Sequence, residues 1–239
     1  MPTVFLVRHG RSTANTDGIL AGRTPGVSLD AKGAAQAADL PGRLAGVPLA
    51  ALVCSPLQRC RETLAPLTEE RPGVPLHTEE GVSECDYGDW TGRKLSELAE
   101  EPLMGVVQQH PSAATFPGGE SMPQMQQRSV RAVRDWDARI AREHGETACF
   151  LVCAHGDVIK SVLADALGMH LDLFQRIAVG PCSVSVIRYT PLRPFVLRVG
   201  ETGELGSLVP AEDTPASGTS GGSGGRPGTG TDAAVGGGA

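Results

Sequence analysis

Lysine is scarce in this chain, and no cluster of basic residues occurs along it. Three of the 21 basic residues are lysines, the other 18 are arginines, and the net charge is −6. Binding of nucleic acid or of an acidic membrane surface needs a concentrated positive patch. We therefore expect neither nucleic acid nor a membrane as a partner. Arginine suits phosphate better than lysine does, because its planar fork matches two oxygens at once.

Long apolar runs are missing too. No stretch approaches the roughly 18 consecutive apolar residues that a membrane span requires. The first residues do not form a basic region followed by a long apolar segment, which is the pattern of a signal peptide. We expect a cytoplasmic protein with neither feature.

Common metal and nucleotide motifs are also absent. No two of the six cysteines form a C-x-x-C pair, so a zinc site is not expected. Neither Gly-x-x-x-x-Gly-Lys nor Gly-x-Gly-x-x-Gly occurs, so no nucleotide-binding loop is expected. We interpret the cysteines as reduced and mostly buried thiols. Four of them lie within two residues of the site residues proposed below, so a redox-sensitive site is the alternative; these are Cys54, Cys60, Cys85 and Cys153.

The end of the chain has almost no apolar material. Residues 206–239 are rich in glycine and serine and cannot bury enough surface to offset their conformational entropy. We predict a disordered tail at 206–239 and one domain over residues 1–205, long enough for an ample core.

Apolar runs alternate with helical patterns through the rest of the chain. Strands are predicted at 3–7, 49–54, 74–77, 147–154, 184–189 and 195–199. Helices are predicted from 31, capped by Asp30 and broken or kinked at Pro41; from 56, capped by Ser55; and over 94–101, 121–144 and 157–167. Residues 81–120 are otherwise irregular. This alternation predicts an α/β fold, with helices on both faces of a mostly parallel sheet.

Three of the predicted strands end in polar residues suited to an anion. Arg8 and His9 follow the first, Ser55 and Arg59 follow the second, and His155 follows the fourth. Ligands of open parallel sheets bind beyond the carboxyl ends of the strands. Guanidinium groups and a helix N-terminus attract phosphate there, and Gly156 lets backbone approach it closely. The sequence therefore predicts a phosphate site built from distant segments.

The three motifs resemble the histidine phosphatase superfamily, in its phosphoglycerate-mutase-like branch. They are Arg8-His9-Gly10 with Asn15, Ser55-Pro56-Leu57 with Arg59 and Thr63, and Ala154-His155-Gly156. The resemblance spans residues 3–200. It implies a three-layer α/β/α sandwich with a cap insertion of loops and a helix, a phosphohistidine intermediate, and neither metal nor other cofactor.

The chemistry of these residues agrees with that implication. A neutral imidazole can attack phosphorus, so we predict His9 as the nucleophile, with its other ring nitrogen held as N–H by a backbone carbonyl. Arg8, Arg59 and His155 would neutralise the phosphoryl oxygens. The residues alone leave the general acid open among Glu84, Asp86 and Asp89; the resemblance implies Glu84.

Further binding residues are predicted around this core. Asn15 is expected to donate a hydrogen bond to phosphate, and Gly156 to offer its backbone. The resemblance implies that the loop with Gly22 and Arg23 touches phosphate. Arg11 stands where many relatives have glutamate or glutamine; an additional phosphate contact and a solvent-facing side chain are left open.

Three functions are compatible with the motifs. We favour a phosphomonoesterase acting on a small phosphate ester over a phosphoglycerate-type mutase, because residues 102–116 contain no arginine and Trp90 stands where mutases have leucine. The stretch FPGGES at 116–121 also resembles phosphatases. A phosphate sensor without turnover is the least favoured. The partner is a small molecule, and assembly is open between a monomer and a homodimer.

Overall fold

A six-stranded sheet forms the centre of the molecule. The computed structural model describes residues 2–203 of the 239-residue chain, so the tail predicted at 206–239 lies outside the described residues. The strands are β1 (Thr3–Arg8), β2 (Leu49–Cys54), β3 (Leu76–Thr78), β4 (Cys149–Ala154), β5 (Val184–Arg188) and β6 (Phe195–Glu201). The helices are α1 (Thr13–Thr16), α2 (Ala31–Arg43), α3 (Gln58–Glu70), α4 (Leu95–Leu98), α5 (Pro102–Gln109), α6 (Met122–His144) and α7 (Gly156–Ala166).

The strand order is β3-β2-β4-β1-β5-β6, with β1 to β4 mutually parallel. β5 runs antiparallel to β1, and β6 antiparallel to β5. Arg8 at the end of β1 pairs with Ala154 at the end of β4, while Cys54 at the end of β2 pairs with Cys153. The residues that follow these three strands therefore meet at one edge of the sheet.

Alternating apolar side chains fasten helices to both faces of the sheet. In β4, Phe150 and Val152 belong to a core cluster that includes residues of α6 and α7. Leu151 and Cys153 belong to a second cluster, which includes residues of α2 and α3. Each face of the central strands is thus covered, as a mostly parallel sheet requires. The predicted α/β fold, with three layers around a mostly parallel sheet, is confirmed.

Two local predictions differ from the structure. α2 continues through Pro41 and ends at Arg43, because a proline so near the C-terminus removes only one of the helix's last hydrogen bonds. Ser55 does not cap α3, which begins at Gln58 after Leu57 with no side-chain cap. The Ser55 hydroxyl serves a histidine instead, as described below.

The segment between β3 and α6 contains one more helix than the sequence suggested. The single helix expected at 94–101 is the short α4, and α5 follows it directly. α5 begins with proline at its first position, where a missing N–H costs nothing, and buries Val107. In the described part of the chain, no helix combines the length and hydropathy needed to cross a bilayer.

Candidate active site

His9 follows β1 directly and is 4 % exposed. Its Nδ1 lies 2.7 Å from the carbonyl oxygen of Gly10, which can only accept, so Nδ1 carries the proton. The lone pair therefore sits on Nε2. Burial, followed by the charges of Arg59 and Arg8, lowers the pKa of His9 well below its ordinary value. The ring is thus a neutral imidazole with one nitrogen ready to attack.

The loop of His9 is held in place by close backbone packing and by Thr63. A Cβ on Gly10 would stand 2.7 Å from the carbonyl oxygen of Gly33 in the first turn of α2. Position 10 therefore requires glycine. The Gly10 N–H donates to Thr63 Oγ1 at 2.9 Å, and the Thr63 hydroxyl donates to the Arg59 carbonyl at 2.6 Å. Thr63 thus joins the loop of His9 to α3.

His155 follows β4 and faces His9, with the two ring centroids 5.2 Å apart. Arg59 Nη2 lies 3.1 Å from its Nδ1. Since guanidinium only donates, Nδ1 accepts, and the proton on Nε2 is donated to Ser55 Oγ at 2.8 Å. Burial, followed by the charge of Arg59, lowers the pKa of His155 well below its ordinary value. Arg59 therefore fixes the tautomer of His155, and Ser55 accepts the remaining ring proton.

Arg59 is 2 % exposed and lies between the two histidines and the loop of Gly22. Its Nη2 donates to the Gly22 carbonyl at 2.9 Å. Its Nη1 is buried and has no hydrogen-bond partner among residues 2–203. An unsatisfied cationic donor in a buried site is suited to an anionic oxygen.

Arg8 is anchored by the segment that leads into β5. Its Nη1 donates to the Val179 carbonyl at 2.7 Å, and burial lowers the pKa of its guanidinium. The Cys182 N–H, 3.1 Å from the carbonyls of both Arg8 and His9, caps the end of β1. Cys182 adopts φ 57°, a left-handed conformation that non-glycine residues rarely adopt. The segment before β5 therefore orients the site.

Glu84 is 3 % exposed and points towards His155, with its Oε2 3.8 Å from Nδ1 of that ring. Its Oε1 accepts from the Cys85 N–H at 2.9 Å. Burial, followed by the negative charge of Asp157, raises the pKa of Glu84 to about 7, against an opposing effect of Arg59. Such a carboxyl can hold a proton at neutral pH and give it up there.

Asp86 and Asp89, the other two candidates for the acid, lie in the same segment but are more exposed. Asp86 Oδ1 accepts the Gly88 N–H at 3.1 Å, and its Oδ2 is 4.0 Å from Arg23. The structure therefore singles out Glu84 as the buried carboxyl beside the histidines.

Arg128 of α6 holds the segment that carries Glu84. Its guanidinium donates to the carbonyls of Gly81, Ser83 and Glu84 at 2.7 to 3.0 Å. It also donates to both carboxylate oxygens of Glu120, at 2.9 and 2.5 Å. These five bonds use every N–H that an arginine offers. Sequence reasoning missed this role of Arg128, because the carbonyls that it binds lie in a segment more than 40 positions away.

Arg23 and Gly22 stand beside the site in supporting positions. Arg23 Nε donates to the Glu84 carbonyl at 2.8 Å and its Nη2 to Glu120 at 3.1 Å. Gly22 has φ 49° and its carbonyl accepts from Arg59. Both residues of the predicted phosphate loop thus lie near the site. Gly22 contacts Arg59, and Arg23 contacts the backbone of Glu84.

Arg11 is partly exposed and pairs with Asp30. Its Nε donates to Asp30 Oδ2 at 2.6 Å, and the side chain is 37 % exposed. The other carboxylate oxygen of Asp30, Oδ1, accepts from the Gly33 N–H and caps the start of α2. In this structure, Arg11 thus pairs with a helix cap.

Asn15 and Gly156 lie at the starts of helices. Asn15 Oδ1 accepts from the N–H of Ser12 at 3.0 Å and from its hydroxyl at 2.9 Å, closing a capping box on α1. The side-chain nitrogen of Asn15 therefore points away from Ser12. Gly156 is the first residue of α7, directly behind His155.

The cysteines near the site are buried; they are Cys54, Cys60, Cys85 and Cys153. Burial raises the pKa of Cys85 and of Cys153. Cys60 Sγ packs 3.6 Å from Nε2 of His155. A redox-sensitive cysteine needs a lowered thiol pKa and solvent access, so these thiols fit the prediction of buried packing residues.

Comparison with known proteins agrees with this geometry. The profile of the histidine phosphatase superfamily (branch 1) matches residues 4–202. A probable phosphatase of Schizosaccharomyces pombe is 33 % identical over 157 residues, which cover 66 % of this chain and 69 % of that protein.

Two further proteins are similar over most of the described chain. A 2,3-bisphosphoglycerate-dependent phosphoglycerate mutase of Gloeobacter violaceus is 28 % identical, over 76 % of this chain and 83 % of its own. The solved structure of YhfR from Bacillus stearothermophilus superposes with a TM-score of 0.75 at 27 % identity, covering 84 % of this chain and 98 % of that one. The chain belongs to the histidine phosphatase superfamily, branch 1.

Proposed function

We propose that this protein is a metal-independent phosphomonoesterase that transfers the phosphoryl group of a small phosphate ester to His9 and then to water. The observation that carries the proposal is the state of His9. The Nδ1 proton of His9 is hydrogen-bonded to the Gly10 carbonyl, which leaves the lone pair on Nε2. The charges of Arg59 and Arg8 act on the same ring. The six free thiols suit the reducing cytoplasm as its location.

In the first step His9 Nε2 attacks phosphorus. The N–P bond forms while the ester P–O bond breaks, and the proton of Glu84 passes to the leaving alkoxide. Arg8 and Arg59 stabilise the charge on the transferring oxygens, each such donor being worth about 3 kcal/mol. The products are an alcohol and a phosphohistidine.

In the second step water attacks the phosphohistidine. Glu84, now a carboxylate, takes the proton of the water while the new P–O bond forms and the N–P bond breaks. Phosphate leaves and His9 returns to the neutral imidazole. A Glu84 pKa of about 7 supports both roles, since neither charge state is strongly favoured at neutral pH.

His155 supplies a charge that depends on the ligand. It is neutral in the unliganded site, where burial and Arg59 lower its pKa. A phosphate dianion favours the imidazolium, so we expect His155 to take a proton from solvent when substrate binds. It then donates towards phosphate from Nδ1, the atom that faces Arg59 and Glu84.

A phosphoglycerate-type mutase is the alternative, and one relative has that name. The phosphatase is favoured because residues 102–109 form α5, which has an apolar composition and no arginine to hold a second acidic group of a substrate. A sensor without turnover is disfavoured because His9, Glu84 and His155 are all in place.

The test is release of phosphate from p-nitrophenyl phosphate in the presence of EDTA, with isomerisation of 3-phosphoglycerate measured in parallel. We expect release, an acid-labile phosphoenzyme and no isomerisation. Absence of both release and phosphoenzyme would refute the proposal, while rapid isomerisation would favour the mutase.

The variant His9→Ala is expected to form no phosphoenzyme, because the attacking nitrogen is gone. His144→Ala is the matched control, since that histidine is exposed at the end of α6. Radiolabel retained by His9→Ala after a substrate pulse would reject His9 as the nucleophile.

A further inference from the structure

A row of buried polar groups runs behind Glu84 and has no place in the steps described above. Tyr87 donates its hydroxyl proton to Asp157 Oδ2 at 2.8 Å. Lys160 Nζ lies 3.7 Å from Asp157 Oδ1 and donates to Gln175 Oε1 at 2.9 Å. Asp157 is 0 % exposed and Lys160 is 1 % exposed. Burying such groups is costly unless they are paired, so the row points to a specific use.

The row connects the two segments that hold the reacting groups. Tyr87 lies three residues after Glu84, and Asp157 lies two residues after His155, in the first turn of α7. Their hydrogen bond is therefore a direct link between the segment of the acid and the strand end of His155. The Tyr87 ring packs edge-on against Phe116 at 4.9 Å, which holds the link laterally.

Asp157 forms an ion pair with Lys160 although both side chains are buried. The positive groups that face it are Lys160 in α7 and Arg8 at the end of β1. The acidic groups that face it are Glu84, Tyr87 and the Cys85 thiol. Glu84 itself is faced by Arg59, Arg8, His155, Lys160 and Arg128 besides Asp157. Two carboxyl groups thus share one buried region, and Lys160 forms its ion pair with Asp157.

We propose that Asp157 is a positioning residue for the general acid: through Tyr87 it fixes the segment of Glu84, and its own charge opposes a second negative charge on Glu84. The inference rests on the proposed function, in which Glu84 protonates the leaving group. It explains how Glu84 keeps its proton beside two arginines, since like charges in a shared site favour the neutral form of one partner.

The first test is the pH dependence of kcat/KM for phenyl phosphate, whose leaving group needs a proton. In Asp157→Asn the amide keeps the shape and accepts from Tyr87, but the negative charge is gone. Glu84 then loses its proton at lower pH, so the basic limb moves down by about one pH unit. Asp157→Glu, which keeps the charge, is the control and is expected to restore the limb. An unmoved limb in a folded Asp157→Asn variant overturns the proposal.

Tyr87→Phe separates the link from the charge. The Asp157 side chain itself is unchanged in this variant, so the basic limb is expected to stay within the error of the wild type. The Glu84 segment loses its tie, so kcat for phenyl phosphate is expected to fall by about tenfold, with KM changed less. An unchanged kcat contradicts the link. Tyr87→Phe also tests the link between Tyr87 and Asp157 if the Asp157→Asn variant does not fold.

A readout without turnover keeps the inference separate from the proposed function. Carbon-13 NMR of glutamate-labelled protein follows the Glu84 carboxyl directly, with Glu84→Gln assigning its signal. We expect its titration midpoint to fall in Asp157→Asn. An unchanged midpoint refutes the inference even if the enzyme is active, and a shifted midpoint supports it even if no phosphate is released and the proposed function fails.

Discussion

His9 and Glu84 occupy the same dry surroundings with opposite consequences. Burial lowers the pKa of His9 well below its ordinary value and raises that of Glu84 to about 7. Each group is driven towards its neutral form, which is an imidazole with a lone pair in one case and a carboxylic acid in the other. These are the two forms that the first step of the proposed reaction requires.

The pH profile follows with a definite sign. Esters with poor leaving groups need protonated Glu84, so their turnover is expected to fall as the pH rises through about 7. His9 has a lowered pKa, so the acidic limb is expected below the ordinary range of histidine. A profile that rises through pH 7 for phenyl phosphate would contradict this assignment.

Replacement of Glu84 separates good from poor leaving groups. In Glu84→Gln we expect turnover of phenyl phosphate to fall by about 10²–10⁴-fold, because the alkoxide leaves without a proton. The loss is expected to be smaller for p-nitrophenyl phosphate, which leaves readily as an anion. Asp89→Asn is the matched control, an exposed carboxylate of the same segment. Equal losses for the two esters would argue against a general acid at position 84.

At the scale of elements, the site depends on α6 although that helix supplies no reacting group. Arg128 joins α6 to the turn that precedes Glu84 through the carbonyls of Gly81, Ser83 and Glu84. Buried carbonyls left without donors cost about 1–3 kcal/mol each. Because Arg128 satisfies three carbonyls of this turn at once, it holds the turn in one position.

We therefore expect Arg128→Met to shift the Glu84 carboxyl slightly from its position beside His155. The predicted result is a loss of about 10²-fold in kcat for phenyl phosphate, with a smaller loss for p-nitrophenyl phosphate. Arg131→Met is the control, because that arginine lies on the same helix with its side chain 82 % exposed. Equal losses with both esters would mean that Arg128 supports the fold in general and not the acid in particular.

The elements were predicted from sequence more completely than their contacts. Apolar runs and periodicity located the six strands of the described chain and the long helices. Four of these strands are mostly buried, whereas the edge strands β3 and β6 are mostly exposed. α5 was missed because a short apolar stretch within an irregular segment has no clear period.

The site was predictable where a residue follows a strand directly. His9 and His155 are examples, because the sheet edge alone brings them together. Partners chosen by tertiary packing were not predictable. The Ser55 hydroxyl binds a ring 100 positions away, and Arg11 pairs with Asp30 on another element. Local sequence patterns carry no information about such distant pairings.

At the scale of the whole molecule, the site brings the buried guanidinium groups of Arg8 and Arg59 together at one edge of the sheet. Arg59 Nη1 has no hydrogen-bond partner within residues 2–203. Any phosphate-like anion that binds there stabilises the folded state by mass action.

Inorganic phosphate or vanadate is therefore expected to raise the melting temperature. At about 100 times Kd the gain is about 2.7 kcal/mol, or about 5–10 °C for a domain of this size. Differential scanning fluorimetry measures it, with chloride at equal ionic strength as the control. Arg59→Met is expected to lose most of the shift. A shift of the same size with chloride would show that the effect is general screening.

The pairing of β1 has a consequence for how the chain acquires its activity during synthesis. Both neighbours of β1 come late, since Thr3 pairs with Cys149 on one side and with Arg188 on the other. Such long-range pairing is slow to form, and the first strand waits with both edges unpaired until nearly the entire domain has been made. Nascent chains lacking β4 and β5 hold His9 without His155 and without the segment that caps it. The catalysis proposed here therefore requires that β4 and β5 have docked against β1.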